Sequence, residues 1–514
     1  MRVRKVHKVH KVHKVTGVLR TMFNGSPRCR GQSAPQGSIE PYEPYKLYKP
    51  YKLKNTAMKQ YTTITLLFLV GATFFSSCKL GKEYTRPELD LPEQIADTPA
   101  TGTRTVADIQ WPEIYTDTVL QGLIRTTLSY NKDLLAAAAR VKESSFAHRV
   151  EKSKLFPQLS ADGLAEREYD RSPGNTFNAE AVLSWELDLW GKLRWGSQAS
   201  LATYLQTVEG QRAMQMTLVA QVAQAYFELQ ALDMELSIVR QTYDARVESV
   251  RLAKLRFEGG LTSETAYRQA EVELAKTRTL IPDLERKIRL KENDISLLTG
   301  HYPGRIPRGK NIDEQTLTHE LPVGLPSTLL ERRPDLRQAE YKLKAANAKV
   351  GIAYTSMFPQ LTLTARYGRE AGELSDFLSA PYFYVGGKLL APLLNAGNNR
   401  AKLKASRAAL EAETYNYQQT VLTAFKEVDN ALTTFYKIRE IRESRSRLEQ
   451  AARSYMELAT LQYINGVISY LDVLDAQRGY FDAQISLNNA VRDELLSVVS
   501  LYSALGGGWE TIEN

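Results

Sequence analysis

The chain is 514 residues long with a formal net charge of +9, a balance that would suit a nucleic-acid-binding protein. The excess is confined to the front: residues 1–57 hold 13 Lys and Arg against two Glu, Lys59 adds one cation, and from Cys78 onward 53 basic residues face 56 acidic ones, a net of −3. A basic nucleic-acid surface is thereby excluded for the body of the chain, and with no cysteine after Cys78 so is a disulfide framework.

Residues 1–57 consist of Lys-Val-His triplets up to Val15 and Tyr-Lys-Pro-like units from Pro41 to Lys54. Such low-complexity sequence cannot bury a core, so it reads as a disordered leader upstream of a better start at Met58. Residues 58–77 read as a secretory signal: Lys59, an apolar run from Ile64 to Phe75, then Ser76-Ser77 before Cys78. The run is shorter than the roughly 20 residues that span a bilayer as a helix. Small residues followed by cysteine resemble a bacterial lipoprotein processing site, which makes Cys78 the expected lipid attachment point and outer-membrane lipid an expected partner. Two acyl chains at about 0.8 kcal/mol per buried CH₂ would hold the N-terminus firmly.

From Cys78 the chain reads as two homologous halves, 78–303 and 304–509, with a short tail at 510–514. Leu155-Phe156-Pro157-Gln158-Leu159 returns as Met357-Phe358-Pro359-Gln360-Leu361, offset by 202 residues. Phe257-Glu258-Gly259-Gly260-Leu261 returns as Tyr463-Ile464-Asn465-Gly466-Val467, and Leu298-Thr299-Gly300 as Ala504-Leu505-Gly506, both offset by 206. Solenoid repeats have periods of roughly 20–50 residues, so this is a duplicated half-protein.

Each half opens with two alternating strands, within about 158–190 and 360–394. Leu159, Ala161, Gly163 and Ala165 alternate with Ser160, Asp162 and Glu166, with Arg167 and Leu164 breaking the rule. Phe177, Ala179, Ala181, Leu183, Trp185 and Leu187 alternate with Asn178, Glu180, Ser184 and Glu186. Leu361, Leu363, Ala365 and Tyr367 alternate with Thr362, Thr364 and Arg366; Pro381–Leu394 repeats the pattern more weakly. Period two places one face in oil and the other in water, and each run has the roughly 9–11 residues a tilted transmembrane strand needs. A soluble sheet with one wet face fits the same alternation. Four strands in lipid would leave unpaired edges, at several kcal/mol per group. A membrane sheet must therefore close by oligomerisation, and three copies give twelve strands, wider than an eight-stranded barrel filled by its side chains; closure alone would also allow a dimer or tetramer.

After each strand pair a helix of about 60 residues is expected, from Ser197 to Phe257 and from Ala401 to Ile464, reaching about 90 Å. Each ends at a glycine turn and returns along roughly 40 residues, to about 300 and 505, with Pro282 expected to kink the first return. Small and apolar residues at helical spacing mark antiparallel coiled-coil hairpins.

These residues resemble the outer-membrane factor (TolC-like) family, in its lipoprotein branch of RND-type multidrug efflux ducts. The strings that carry the likeness are Leu80-Gly81-Lys82-Glu83-Tyr84-Thr85-Arg86-Pro87, Arg332-Arg333-Pro334-Asp335-Leu336-Arg337-Gln338-Ala339-Glu340, Tyr470-Leu471-Asp472-Val473-Leu474-Asp475-Ala476-Gln477-Arg478 and Ala504-Leu505-Gly506-Gly507-Gly508-Trp509. The resemblance covers Cys78 to Trp509. It implies a mostly α fold with a transmembrane β-barrel: a homotrimer whose twelve strands continue into a twelve-helix periplasmic tunnel, girdled around 103–150 and 306–354. It implies a periplasmic membrane-fusion adaptor and a proton-driven inner-membrane pump as partners, and no chemistry in the duct.

It also implies a periplasmic entrance at the helix tips, lined by Asp472 and Asp475, with Tyr463 in the closing network. Ile468 stands where some members carry Arg, so an apolar ring replaces that charged tether. The residues themselves allow a second reading. Ser469-Tyr470-Leu471-Asp472 has the spacing of a capping box, although the first-half counterparts, Ala266 and Gln269, show that capping does not require acids here.

No phosphate loop, dinucleotide glycine pattern, zinc helix motif or nucleophile elbow is present, so no enzyme activity, cofactor or metal is expected. Gly506-Gly507-Gly508 reads as a flexible end. Competing functions are a duct for type I protein secretion or metal-ion efflux, and a structural lipoprotein rod with soluble strands.

Overall fold

The computed structural model describes residues 79–92, 109–169, 174–315, 326–379 and 381–509. The leader, the signal segment, Cys78 and the tail 510–514 lie outside the described residues. The first half contains helices α1 (Trp111–Ile114), α2 (Thr118–Tyr130) and α3 (Lys132–Ser153), strands β1 (Gln158–Glu168) and β2 (Gly174–Leu187), and helices α4 (Lys192–Glu258) and α5 (Glu264–Leu298). The second half contains α6 (Pro326–Arg332), α7 (Pro334–Thr355), β3 (Gln360–Ala371), β4 (Pro381–Leu390), α8 (Asn398–Ile464) and α9 (Tyr470–Ala504).

The duplication is visible in the element lengths. α3 and α7 have 22 residues each, α4 and α8 have 67, and α5 and α9 have 35. At 1.5 Å per residue the long helices reach about 100 Å, the returns about 50 Å and the short ones about 33 Å. A long helix therefore outruns its return, and the remaining length is backed by α3 and α7, which pack on α4 and α8. The chain accordingly has four of these helices at the tip level (α4, α5, α8, α9) and four nearer the strands (α3, α4, α7, α8).

The joints between the stacked short helices are built alike. Asn131, the N-cap of α3, accepts the Leu134 amide at 3.0 Å and donates Nδ2 to the Leu298 carbonyl at the end of α5 at 2.9 Å. Its counterpart Arg333, the N-cap of α7, donates Nη1 to the Ala504 carbonyl at the end of α9 at 2.8 Å. Each cap thus satisfies a carbonyl that the end of the other helix leaves open.

Why the helices coil is legible in their buried positions. On α8 these are Tyr417, Val421, Ala424, Val428, Ala431 and Phe435, in steps of four and three. On α4, Ala202, Glu209, Met216, Ala223 and Gln230 follow one another at seven. A repeat of 3.5 keeps one seam against the partner through left-handed supercoiling. α5 remains one helix through Pro282. No helix among the described residues is long and apolar enough to cross a membrane.

The four strands form one antiparallel sheet in the order β1-β2-β3-β4. Its register aligns the apolar series of every strand: Leu159 lies opposite Leu183, Leu183 opposite Ala365, and Ala365 opposite Val385. The next row of that face reads Ala161, Ala181, Tyr367 and Phe383. Rows of the opposite face are polar, as in Asp162–Glu180 and Glu186–Thr362–Lys388. The apolar face is open to its surroundings, with Leu159 at 73% and Phe383 at 71% exposure.

Halfway along the helices lies the main core, where Trp111, Tyr115, Tyr226, Phe227 and Tyr502 pack together. Asp117 ties it to the inter-half linker: its Oδ2 accepts from the Tyr226 hydroxyl at 2.9 Å, Gln315 Nε2 at 2.8 Å and the Lys310 amide at 3.2 Å. Burial alone would raise its carboxyl, but these bonds and the amides of Val119 and Leu120 hold it below the usual range. Gly506, Gly507 and Gly508 are buried here against Arg333, Tyr502 and Val219. The expectation of a flexible end is corrected: the Tyr502 ring leaves no room for a Cβ at Gly507, and Gly506 and Gly508 have φ of 89° and 96°, a conformation that favours glycine.

Candidate functional site at the hairpin tips

Two helix hairpins end side by side. The first turns at Gly259-Gly260 and the second at Asn465-Gly466, where Gly260 and Gly466 have φ of 71° and 75°, a left-handed conformation that glycine adopts without penalty. The tips share a small core of Ala253 and Ala270 from the first hairpin with Tyr463, Tyr470, Val473 and Leu474 from the second. Tyr463 is at the centre, its ring 5.4 Å from that of Tyr470 and 4.6 Å from the Arg256 guanidinium. Ile468 is half-buried against the same cluster.

Asp472 and Asp475 both stand exposed on the first turns of α9. Asp472 completes the capping box: its Oδ2 accepts from the Ser469 amide at 3.0 Å and the Ser469 hydroxyl at 2.7 Å. Asp475 has no such role, and its charge acts on Arg478 one turn further. The two acids therefore differ in kind, although their spacing puts them on one helix face.

The tip cluster is unusual in its unmet polar groups. The Tyr463 and Tyr470 hydroxyls, Arg256 Nε and Thr262 Oγ1 are buried without a hydrogen-bond partner among the described residues. Burial pushes the Tyr470 phenol up to about 12. A buried polar group costs about 1–3 kcal/mol for as long as it stays unpartnered.

Behind the tips sits a network that sequence reasoning missed. Glu273 on α5, almost fully buried, pairs with Arg246 of α4 at 3.3 Å, with Lys276 at 2.9 Å and with Arg478 of α9. Arg246 also donates to the Glu273 carbonyl at 2.8 Å and to the Thr277 hydroxyl at 2.5 Å. One carboxylate thus joins both hairpins. Burial would raise the Glu273 carboxyl, but hydrogen bonds from Arg478 and Lys276 and the Arg246 charge keep it below the usual range. The signal in the sequence was a charge on a heptad seam: Arg246 stands midway between Val239 and Ala253, all three buried.

From the strand end of α4 the segment 79–92 runs to the main core, against which Leu89 and Leu91 pack. Leu80 accepts from Trp195 Nε1 at 2.7 Å and donates to the Trp190 carbonyl at 3.1 Å, while Arg86 grips Glu340 with two bonds of 3.2 and 2.8 Å. A Cβ on Gly351 would come within 2.4 Å of the Trp195 ring, so glycine there lets α7 close onto α4. The strings that carried the resemblance are in this way contacts between distant parts of the fold.

A sheet with one exposed apolar face carried on helices of about 100 Å is the architecture of solved outer-membrane channels. A family model described as outer membrane efflux protein matches residues 123–301 and 325–507, and the chain belongs to that family. It is 33% identical over 474 residues to the toluene efflux pump outer membrane protein TtgC of Pseudomonas putida, covering 87% of this chain and 96% of that one. It is 31% identical over 456 residues to the cation efflux system protein CusC of Escherichia coli O6:H1, covering 87% and 99%. The solved open state of the Neisseria gonorrhoeae MtrE outer membrane channel matches with a TM-score of 0.78 at 26% identity, over 84% of this chain and 99% of that one. The protein is an outer-membrane efflux protein.

Proposed function

We propose that the protein is the exit duct of a tripartite efflux system, conducting small molecules passively from a periplasmic adaptor and an RND-type inner-membrane pump to the exterior. The observation that carries this reading is the sheet register, which gathers the apolar residues of all four strands on one face and leaves β1 and β4 as open edges. Such edges are too costly in lipid. Three copies close them into a twelve-stranded barrel, and four helices per copy at every level then make a twelve-helix tunnel.

Residues 1–57 lie upstream of the working protein, 58–77 direct export, and Cys78 carries the lipid anchor. The entrance is at the tips. Asp472 and Asp475 ring it with six carboxylates that favour cations, Ile468 narrows it, and the Tyr463 hydroxyl closes it through contacts between copies. The unpartnered hydroxyls support closure by a neighbouring copy. A second reading, metal-ion cargo, is favoured by the identity to a cation efflux protein.

Planar-bilayer conductance tests the reading on wild type beside Asp472→Ala/Asp475→Ala. Small cation-preferring currents are expected, with the preference weakened in the variant. Unchanged selectivity would reduce both acids to helix-end residues. Absence of current, in protein that forms no heat-resistant trimer, would turn the reading to a structural rod.

A further inference from the structure

The apolar face of the sheet carries two charges among the described residues, and both are arginines. Arg167 is the penultimate residue of β1, and Arg369 lies two residues from the end of β3. The register puts them on the face of Leu159, Ala181 and Phe383: Arg167 is opposite Asn175, and Arg369 is opposite Ala179 and Pro381. Both stand at the hairpin-turn end, away from the helices. The helix-proximal end of the same face has Leu187, Leu361 and Leu389 and no charge.

Neither guanidinium is paired with a carboxylate among the described residues. Arg167 lies 5.1 Å over the Tyr169 ring, and Arg369 donates one N–H to the Leu378 carbonyl, which leaves most of its donors open. Exposed aromatics flank them, Tyr169 at 78% and Tyr367 at 62%, residue types that settle at a membrane–water interface. A lipid-facing arginine is tolerated only near such an interface. Among the described strand residues of this face, two cations at one rim and none at the other match a membrane whose two surfaces differ in charge.

We propose that Arg167 and Arg369 bind the phosphate groups of the outer-leaflet glycolipid, lipopolysaccharide, and so fasten the barrel rim to the outer leaflet. Guanidinium suits this ligand, because its planar donors match phosphate oxygens. Along the strands the two are offset by four residues, roughly 13 Å at about 3.3 Å per residue, and β2 lies between them, so they make two separate contacts and do not clamp one phosphate. The inference rests on the barrel reading above, which sets the turns outside and the helices in the periplasm.

The test uses full-length protein, as wild type, Arg167→Gln/Arg369→Gln and Arg167→Lys/Arg369→Lys, in nanodiscs doped with lipopolysaccharide, its dephosphorylated form or phosphatidylglycerol. Retained lipid is read by native mass spectrometry. Wild type should enrich lipopolysaccharide and not the dephosphorylated form. The Gln variant should lose roughly fivefold per guanidinium, the factor expected of one basic residue at an anionic membrane surface, and the Lys variant should keep most of the enrichment. Equal retention by wild type and the Gln variant would overturn the proposal. Phosphatidylglycerol held as well as lipopolysaccharide, and lost on the same substitutions, would overturn the choice of glycolipid. Conductance of the same preparations separates the two readings: normal current with indifferent lipid sinks this inference alone, whereas no wild-type current sinks the barrel and this inference with it.

Discussion

Glu273 shows how one buried residue can join two elements that the sequence keeps far apart. Its carboxylate neutralises Arg246 within the first hairpin and receives Arg478 from the second. Removing one partner of a buried pair leaves the other charge uncompensated, so Glu273→Gln should cost on the order of 3 kcal/mol. Thermal unfolding followed by far-UV circular dichroism checks this, and a change no larger than that of an exposed pair would refute it. The pH dependence has a definite sign. The folded carboxyl is held below its ordinary value, so its stabilisation is complete above the unfolded value of about 4.3 and disappears as pH falls through the folded one. The wild type should lose stability in that acid range, and Glu273→Gln should lose less.

At the scale of elements the alternation of the strands was readable, and so was the existence of four long helices. Leu159, Ala161 and Ala165 against Ser160, Asp162 and Glu166 already require two faces of different solvent. What alternation could not say is which strand pairs with which, and the break at Arg167 looked like noise. In the sheet Arg167 keeps its face and lies at the rim. A direct check is Leu183→Arg, which sets a charge between Leu159 and Ala365 and should cost up to about 2–4 kcal/mol at mid-bilayer depth. Ser184→Arg, on the polar face, should assemble normally. Heat-resistant oligomer on a gel is the measurement, and normal assembly of Leu183→Arg alone would reverse the faces.

For the whole molecule, the stacked helices make length a matter of arithmetic. A return helix of 35 residues and a short helix of 22 together come within ten residues of the 67 of the long one, and Asn131 and Arg333 bridge the joints. The proposed lipid anchor at Cys78 belongs to this scale as well, because Leu80 and Arg86 hold the chain that follows it along the helices. Cys78→Ser should abolish metabolic lipid labelling and leave the helical content unchanged. Labelling that survives the change would place the mature start elsewhere.

By itself the sequence determined the duplication, the strand faces and the seams of the coiled coil, because each is a periodic property of neighbouring residues and needs no knowledge of distant ones. Asp472 and Asp475 were singled out by the family resemblance, and the capping-box spacing from Ser469 already marked Asp472, but the action of Asp475 on Arg478 came only from the structure. The burial of Gly506–Gly508, the cap of Arg333 on Ala504 and the Glu273 network were decided only by tertiary structure. The bonds from Arg246 to Glu273, from Arg333 to Ala504 and from Arg478 to Glu273 join residues 27, 171 and 205 positions apart, and local patterns carry no record of such meetings.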